Sequence, residues 1–120
     1  MSKIWVYIAG PLSKGNQFEN VRRACDVWLE LWTRGFHPIC PHWSAMQEVV
    51  GSTLTHRDWL NYDLPILDKC QALLRLPGES VGADIEVRHA NASHIPVFHT
   101  VEDLEHWRRE EEQWIALHRN

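Results

Sequence analysis

Residues 76–86 read Leu76-Pro77-Gly78-Glu79-Ser80-Val81-Gly82-Ala83-Asp84-Ile85-Glu86, and the apolar run Ala72-Leu73-Leu74 comes just before them. The apolar run is typical of a buried strand, and the glycines after it predict a loop whose free backbone amides can meet an anion. Glu86 then falls about one turn into the helix that follows. Proteins that alternate strands and helices bind ligands at such junctions, so this stretch predicts both a fold class and the place of a site.

Strand and helix patterns alternate along the rest of the chain. Segments rich in β-branched and aromatic residues predict strands at 3–8, 36–40, 71–76 and 95–98. Apolar residues at helical spacing predict helices over 16–34, 44–50, 55–67 and 83–92 and from Thr100 onward, with a loop at 51–53. Ser44 and Thr55 are expected to cap their helices, and Pro65 to kink or divide the helix that Thr55 begins.

Strands that are separated by helices predict a mostly parallel sheet with helices on both faces. We therefore expect an α/β fold, a flavodoxin-like (Rossmann-like) three-layer sandwich whose sheet has four to five strands. A chain of 120 residues, 44% of them apolar, fits a single domain over 1–120. In such a sheet the ligand crevice lies at the carboxyl ends of the strands, here beside the first and the third.

Charge and cysteine content narrow the class of protein. The chain has 12 lysines and arginines and 16 acidic residues. The resulting net charge of −4 gives no electrostatic basis for binding a nucleic acid polymer. The apolar run near the N-terminus is too short to span a membrane and is not followed by a signal-peptide cleavage site, so we expect a cytoplasmic protein without a membrane partner. Three cysteines without a CxxC pair predict neither a disulfide framework nor a zinc site.

Two glycine-containing loops are expected to meet at the crevice. The loop after the first strand offers Gly10, Ser13 and Lys14, and the loop after the third strand offers Ser80 and Gly82. Together they could hold a phosphate or the hydroxyls of a sugar. Neither loop has the GxxxxGK[ST] or the GxGxxG pattern, so neither a P-loop nor a dinucleotide site is indicated. The alternative is that both are ordinary turns by which the chain leaves two strands.

Acidic residues beside the crevice indicate a chemistry. A helix N-terminus favours the charged form of a carboxylate, and an ionised Glu86 is a suitable nucleophile for an anomeric carbon. Asp63 is the candidate that protonates the leaving base, and Tyr7 is the candidate that hydrogen-bonds the nucleophile and holds its rotamer. The alternatives are that Glu86 and Asp63 are exposed carboxylates on helix surfaces and that Tyr7 is an ordinary core residue.

Four segments carry a family resemblance: Tyr7-Ile8-Ala9-Gly10-Pro11, then Asp63-Leu64 ahead of the strand Cys70-Gln71-Ala72-Leu73-Leu74, then Ser80-Val81-Gly82-Ala83-Asp84-Ile85-Glu86 with Ala90, and finally Ile95-Pro96-Val97-Phe98. With these segments the chain resembles the nucleoside 2-deoxyribosyltransferase superfamily. Within it, the chain is similar to the 2'-deoxynucleoside 5'-phosphate N-hydrolases and to uncharacterised phage and bacterial deoxyribosyltransferase-like proteins.

The resemblance implies a catalytic role for three residues. Glu86 matches the family nucleophile that attacks C1', Asp63 matches the aspartate that assists protonation of the leaving group, and Tyr7 matches the tyrosine that orients the glutamate. The reaction needs no metal and no organic cofactor. Because family members are commonly dimers or larger, the resemblance also implies a homodimer or larger homo-oligomer.

The resemblance further implies a phosphate site made by both loops. Ser80 and Gly82 match residues that help to bind the 5'-phosphate in the nucleotide hydrolases. Ser13 and Lys14 are the nearest equivalents of the phosphate ligands in the first loop, where relatives often have an arginine. A lysine offers a phosphate a point charge rather than a bidentate fork.

Histidine, cysteine and tryptophan residues admit further interpretations. Four residues could be read as soft metal ligands, although their spacing fits no standard zinc pattern: His37, Cys40, His42 and His56. We expect His42 and Trp43 to line the nucleobase pocket instead, with Trp59 as an alternative stacking wall.

The sequence therefore predicts an N-glycosidase that cleaves a (deoxy)nucleoside 5'-monophosphate through a covalent intermediate on Glu86. Its expected partner is a small nucleoside or nucleotide. Base exchange, as in a deoxyribosyltransferase, is one alternative. Two others are a non-catalytic nucleotide sensor in which Glu86 holds ribose hydroxyls, and an interaction module whose surface is formed by Trp107 and Trp114 on the last helix.

Overall fold

The computed structural model describes residues 3–51 and 54–119. Strands and helices alternate in the order β1 (Trp5–Ala9), α1 (Gln17–Thr33), β2 (His37–Ile39), a 3₁₀ turn (Pro41–Trp43), α2 (Ser44–Val49), α3 (His56–Leu67), β3 (Ala72–Arg75), α4 (Val81–Ala92), β4 (Val97–Phe98) and α5 (Val101–His118). The predicted loop at 51–53 lies partly outside the described residues, because only its first position is described.

The strands form one parallel sheet in the order β2-β1-β3-β4. The α/β class and the parallel sheet are therefore confirmed, with four strands in the described part of the chain. In the centre, Ile8 of β1 pairs with Leu74 of β3, and Ala9 pairs with Arg75. These two strands end side by side, so the loops that follow them leave the same edge of the sheet. Pro38 is tolerated in β2 because an edge strand has one unpaired side.

Side chains of β1 alternate between two apolar clusters, as the pleat of a strand requires. Val6 and Ile8 belong to a cluster that includes residues of α1 and α5: Ala24, Leu31 and Leu104. Tyr7 and Ala9 belong to a second cluster, which includes residues of α3 and α4: Leu67, Ala83 and Ala90. The tyrosine that the sequence singles out thus lies on the side of the sheet where α3 and α4 pack.

Side-chain caps fix where most helices begin. Thr55 and Asp58 form a reciprocal capping box at α3, with hydrogen bonds of 2.9 and 3.1 Å. Ser44 does not cap α2 as predicted, because the helix continues directly from the 3₁₀ turn and leaves no extended residue to act as a cap. Pro65 does not divide α3, which runs through it to Leu67.

The last helix contributes to the core more than its sequence indicates. Trp107 packs against Phe98 with ring centroids 5.4 Å apart and belongs to the first apolar cluster. Trp114 is 59% exposed and stacks only on His118 among the described rings. Of the two tryptophans in the alternative interaction surface, Trp114 is therefore exposed and Trp107 is half-buried. None of the helices in the described ranges combines the length and the hydropathy that crossing a bilayer requires.

Candidate active site

A cavity of about 600 Å³ lies where β1 and β3 end. Most of the predicted site residues line it: Gly10, Ser13, Lys14, His42, Asp63, Ser80, Gly82 and Glu86. The cavity is also lined by Trp59, the alternative stacking wall, by His56, and by Glu48 and Leu60, which were not assigned to the site. The two strand ends therefore bring together side chains that are far apart in the sequence.

Glu86 is the buried acid of this cavity. Its side chain is on α4, its residue is 7% exposed, and one carboxylate oxygen accepts a hydrogen bond from the hydroxyl of Tyr7. Burial raises the pKa of Glu86 to about 7, and the nearby charge of Asp63 adds to the rise, whereas the bond from Tyr7 lowers it. Desolvation thus opposes the charged form of Glu86, which the start of the helix was expected to favour.

Tyr7 is completely buried beneath the cavity. Burial raises the pKa of its phenol, and the charge of Glu86 raises it further. The hydroxyl is therefore protonated and acts as the donor to Glu86. A donor with no solvent access holds the carboxylate in one orientation, which is the function that the sequence predicted for this residue.

Asp63 is the second acid of the cavity. It is half-buried on α3, and burial raises its pKa to about 6. The residues of α3 that line the cavity are spaced as one face of a helix: His56, Trp59, Leu60 and Asp63. Trp59, the alternative stacking wall expected from the sequence, therefore lines the cavity together with Asp63.

The first loop is held from the side of α1. The side-chain amide of Asn20 donates hydrogen bonds to the carbonyls of Leu12 at 3.0 Å and Lys14 at 2.7 Å. The ammonium of Lys14 in turn lies 3.6 Å from the carboxylate of Glu79 in the second loop. Both of these charged side chains are largely exposed, so the ion pair contributes little to stability but joins the two loops across the cavity.

The second loop is held by Arg75, a residue that the sequence analysis missed. Its guanidinium donates to the carbonyls of Leu76 and Gly78 and lies 3.1 Å from the carboxylate of Asp84. Gly78 adopts a φ of +116°, and a Cβ there would lie 2.7 Å from Cγ of Pro11. The only sequence feature that indicated this role was a basic residue at the end of an apolar strand, with a glycine shortly after it.

Ser80 and Gly82 open α4 toward the cavity. The hydroxyl oxygen of Ser80 accepts a hydrogen bond of 3.0 Å from the amide of Ala83, which leaves the hydroxyl proton able to point at a ligand. At Gly82 a Cβ would lie 3.1 Å from Cε1 of His56. The glycine thus allows α3 and α4 to begin in contact, on the cavity side of both helices.

His42 faces the cavity, whereas its neighbour Trp43 does not. His42 is 3% exposed, and its Nε2 lies 3.0 Å from the carbonyl of Pro11, so this nitrogen is the donor. Burial lowers the pKa of His42, and its Nδ1 is itself buried without a partner among the described residues. Trp43 is 54% exposed and packs on Trp28 instead.

The prediction that Trp43 lines the base pocket is therefore wrong for the cavity described here. The physical reason is the 3₁₀ turn, in which neighbouring residues point about 120° apart around the axis. His37, another proposed metal ligand, stacks on Trp5 with ring centroids 4.5 Å apart. Within 3–51 and 54–119, no three histidine, cysteine or acidic side chains are grouped to hold a metal ion.

Comparison with known proteins adds no identification. No family model matches the chain, and no curated protein matches it closely enough to count as a relative.

Proposed function

We propose that the protein is an N-glycosidase that cleaves a (deoxy)nucleoside 5'-monophosphate. The observation that carries this proposal is the pair of acids in one cavity, with Glu86 buried and held by Tyr7 and with Asp63 nearby. The strand order is compatible with the flavodoxin-like sandwich that the resemblance implies. We further propose that the protein works in the cytoplasm as a homodimer or larger homo-oligomer.

In the first step, a carboxylate oxygen of Glu86 attacks C1' of the sugar and forms an ester. The bond from C1' to the base nitrogen breaks, its electron pair goes to the base, and Asp63 supplies the proton that neutralises it. The raised pKa of Asp63 supports this role, because it keeps a fraction of the acid protonated near neutral pH.

In the second step, water attacks C1' and the ester to Glu86 breaks. Asp63 now accepts a proton from that water, so both acids return to their starting forms. Tyr7 orients Glu86 and donates to the carboxylate in each resting state, without exchanging its own proton. No step requires a metal or an organic cofactor.

The 5'-phosphate is assigned to the mouth of the cavity, between the two loops. The candidate donors are the ammonium of Lys14, the hydroxyls of Ser13 and Ser80, and the backbone amide of Gly82 at the start of α4. With the 5'-phosphate bound between the loops, the sugar would extend from the mouth of the cavity toward Glu86, and C1' would lie at the end away from the phosphate.

Base exchange on an unphosphorylated nucleoside is the second candidate. The contact between Lys14 and Glu79 favours it, because a carboxylate 3.6 Å from the loop cation reduces the attraction for a phosphate. In that case a second base, rather than water, would attack the ester on Glu86.

Release of free base from a panel of nucleosides and nucleoside 5'-monophosphates, with and without a second base, tests the proposal. We expect release from monophosphates by the wild-type protein and a loss of about 10³-fold or more in Glu86→Gln. Glu112→Gln on the exposed side of α5 is the matched control and should behave as wild type. Binding without turnover, unchanged by Glu86→Gln, would instead establish a non-catalytic sensor.

A further inference from the structure

One wall of the cavity consists of an indole that is held by a carboxylate. The Nε1 hydrogen of Trp59 on α3 is donated to Oε1 of Glu48 on α2, at 2.5 Å. Both residues line the cavity, and both are partly buried. The edge of Tyr62 meets the same indole at 87°, with centroids 6.0 Å apart. The indole is therefore fixed from two sides.

This wall lies next to the group that is proposed to protonate the leaving base. Trp59 precedes Asp63 by four residues on α3, so the two side chains are neighbours on the same face of the helix. A base whose nitrogen is within reach of Asp63 consequently lies beside an aromatic surface. Stacking of a base on an aromatic ring contributes about 1–3 kcal/mol.

Glu48 then stands at the edge of a base that lies against the indole. A carboxylate only accepts hydrogen bonds, and its two oxygens offer about four lone-pair sites, so the bond from Trp59 leaves further acceptor capacity. An amino group on the base can donate to this carboxylate. A carbonyl oxygen in the same place would oppose an acceptor with an acceptor, which leaves both groups unpaired.

We infer that Glu48, positioned by Trp59, selects nucleobases that carry an exocyclic amino group over their keto counterparts. This inference rests on the proposed function, since it takes the place of the base from the role of Asp63. Because Glu48 is only partly buried, water competes for the carboxylate, and we expect a preference of about tenfold to a hundredfold rather than a complete rejection.

Matched substrate pairs test the inference. The 5'-monophosphates of 2'-deoxycytidine and 2'-deoxyuridine differ by an amino group in place of a carbonyl oxygen, as do those of 2'-deoxyadenosine and 2'-deoxyinosine. For each, kcat/KM for base release is measured with the wild type, Glu48→Gln, Trp59→Phe and the control Glu112→Gln. We expect the wild type and the control to prefer the amino member of at least one pair at least tenfold.

An amide at position 48 both donates and accepts, so Glu48→Gln should reduce the preference to about threefold or less, mainly through KM. Trp59→Phe keeps a stacking ring and removes the donor that orients Glu48, so it should lower the preference part of the way. Thermal unfolding of each variant verifies that it folds. Equal use of both members by the wild type, or an unchanged preference in Glu48→Gln, would overturn the inference.

The same design separates the inference from the proposed function. If the wild type cleaves both members of each pair equally well and Glu86→Gln loses activity, the proposed glycosidase function is supported and only the role of Glu48 is overturned. If no nucleotide releases its base, calorimetric titration with the same pairs replaces kinetics. A Glu48-dependent preference in Kd would then support the inference, whereas equal Kd values or no binding would overturn it.

Discussion

The hydroxyl of Tyr7 donates a hydrogen bond to Oε2 of Glu86, across 79 positions of sequence and inside the protein. β1 supplies the phenol and α4 supplies the carboxylate, so the sheet and the helix that packs on it fix the pair. The bond stabilises the charged form of Glu86 against the cost of burial, and that balance determines how the site titrates.

Activity should depend on pH as a narrow bell. Below a pH of about 6 both Asp63 and Glu86 carry protons and the nucleophile is lost, whereas above about 7 both are charged and the acid is lost. The reactive form has one proton, on Asp63, so kcat/KM should be highest between pH 6 and pH 7. A nucleoside without a titrating phosphate is the substrate to use. A flat profile across this range would contradict the assignment of the two acids.

Tyr7→Phe should lower the maximum of that bell and move its alkaline side. Loss of one hydrogen bond to the charged carboxylate raises the pKa of Glu86 further, by about half a unit to one unit. Because Glu86 has the higher pKa of the pair, the reactive form becomes rarer, and kcat/KM at the maximum should fall about threefold to tenfold.

Tyr62→Phe is the matched control, because Tyr62 is exposed on α3 and its hydroxyl is not part of the Glu86 contact. In this variant, kcat/KM should rise and fall at the same pH values as in the wild type. An alkaline limb that stays in place in Tyr7→Phe would show that the phenol does not stabilise the charged form of Glu86.

Burial of Glu86 should make the protein less stable at higher pH. The pKa of Glu86 is raised from 4.5 in the unfolded chain to about 7, so its contribution is complete below pH 4.5 and is lost as the pH rises through 7. The free energy of unfolding should fall by on the order of 3 kcal/mol from this group. The lowered pKa of His42 acts in the opposite direction at acid pH.

Urea unfolding on either side of this pH window isolates the effect of Glu86. Glu86→Gln has no charge to bury, so its stability should change less with pH than that of the wild type. Glu112→Gln should keep the wild-type dependence. An identical slope in Glu86→Gln and the wild type would mean that the carboxyl is well solvated in the folded protein.

The order of strands and helices was predictable because each has a strong local signal. The capping box at Thr55, the serine cap at Ser80 and the apolar period of α1 all act within one or two turns of their own sequence. Strand ends were less predictable. The fourth strand was expected from Ile95 but pairs only over Val97–Phe98.

Site residues were predictable where the topology alone brings them together, as for Glu86 and Tyr7. They were not predictable where a contact joins two segments without a shared local pattern. Arg75 and Glu48 act through partners in other segments, and Trp43 turns away from the cavity because of a 3₁₀ turn that its own sequence did not indicate. The pKa of Glu86 depends on its final depth, which a helical pattern does not specify.

Removal of the Glu79 charge should strengthen the binding of phosphorylated substrates. Its carboxylate lies 3.6 Å from the ammonium of Lys14 and competes with a phosphate for it. In Glu79→Gln, KM for a nucleoside 5'-monophosphate should fall about threefold to tenfold, whereas KM for the nucleoside should not change. Stability should stay within about 0.5 kcal/mol of wild type, since both partners are exposed. Lys14→Gln should raise KM for the monophosphate alone. If both variants leave that KM unchanged, the phosphate does not bind between the two loops, and a nucleoside becomes the better candidate substrate.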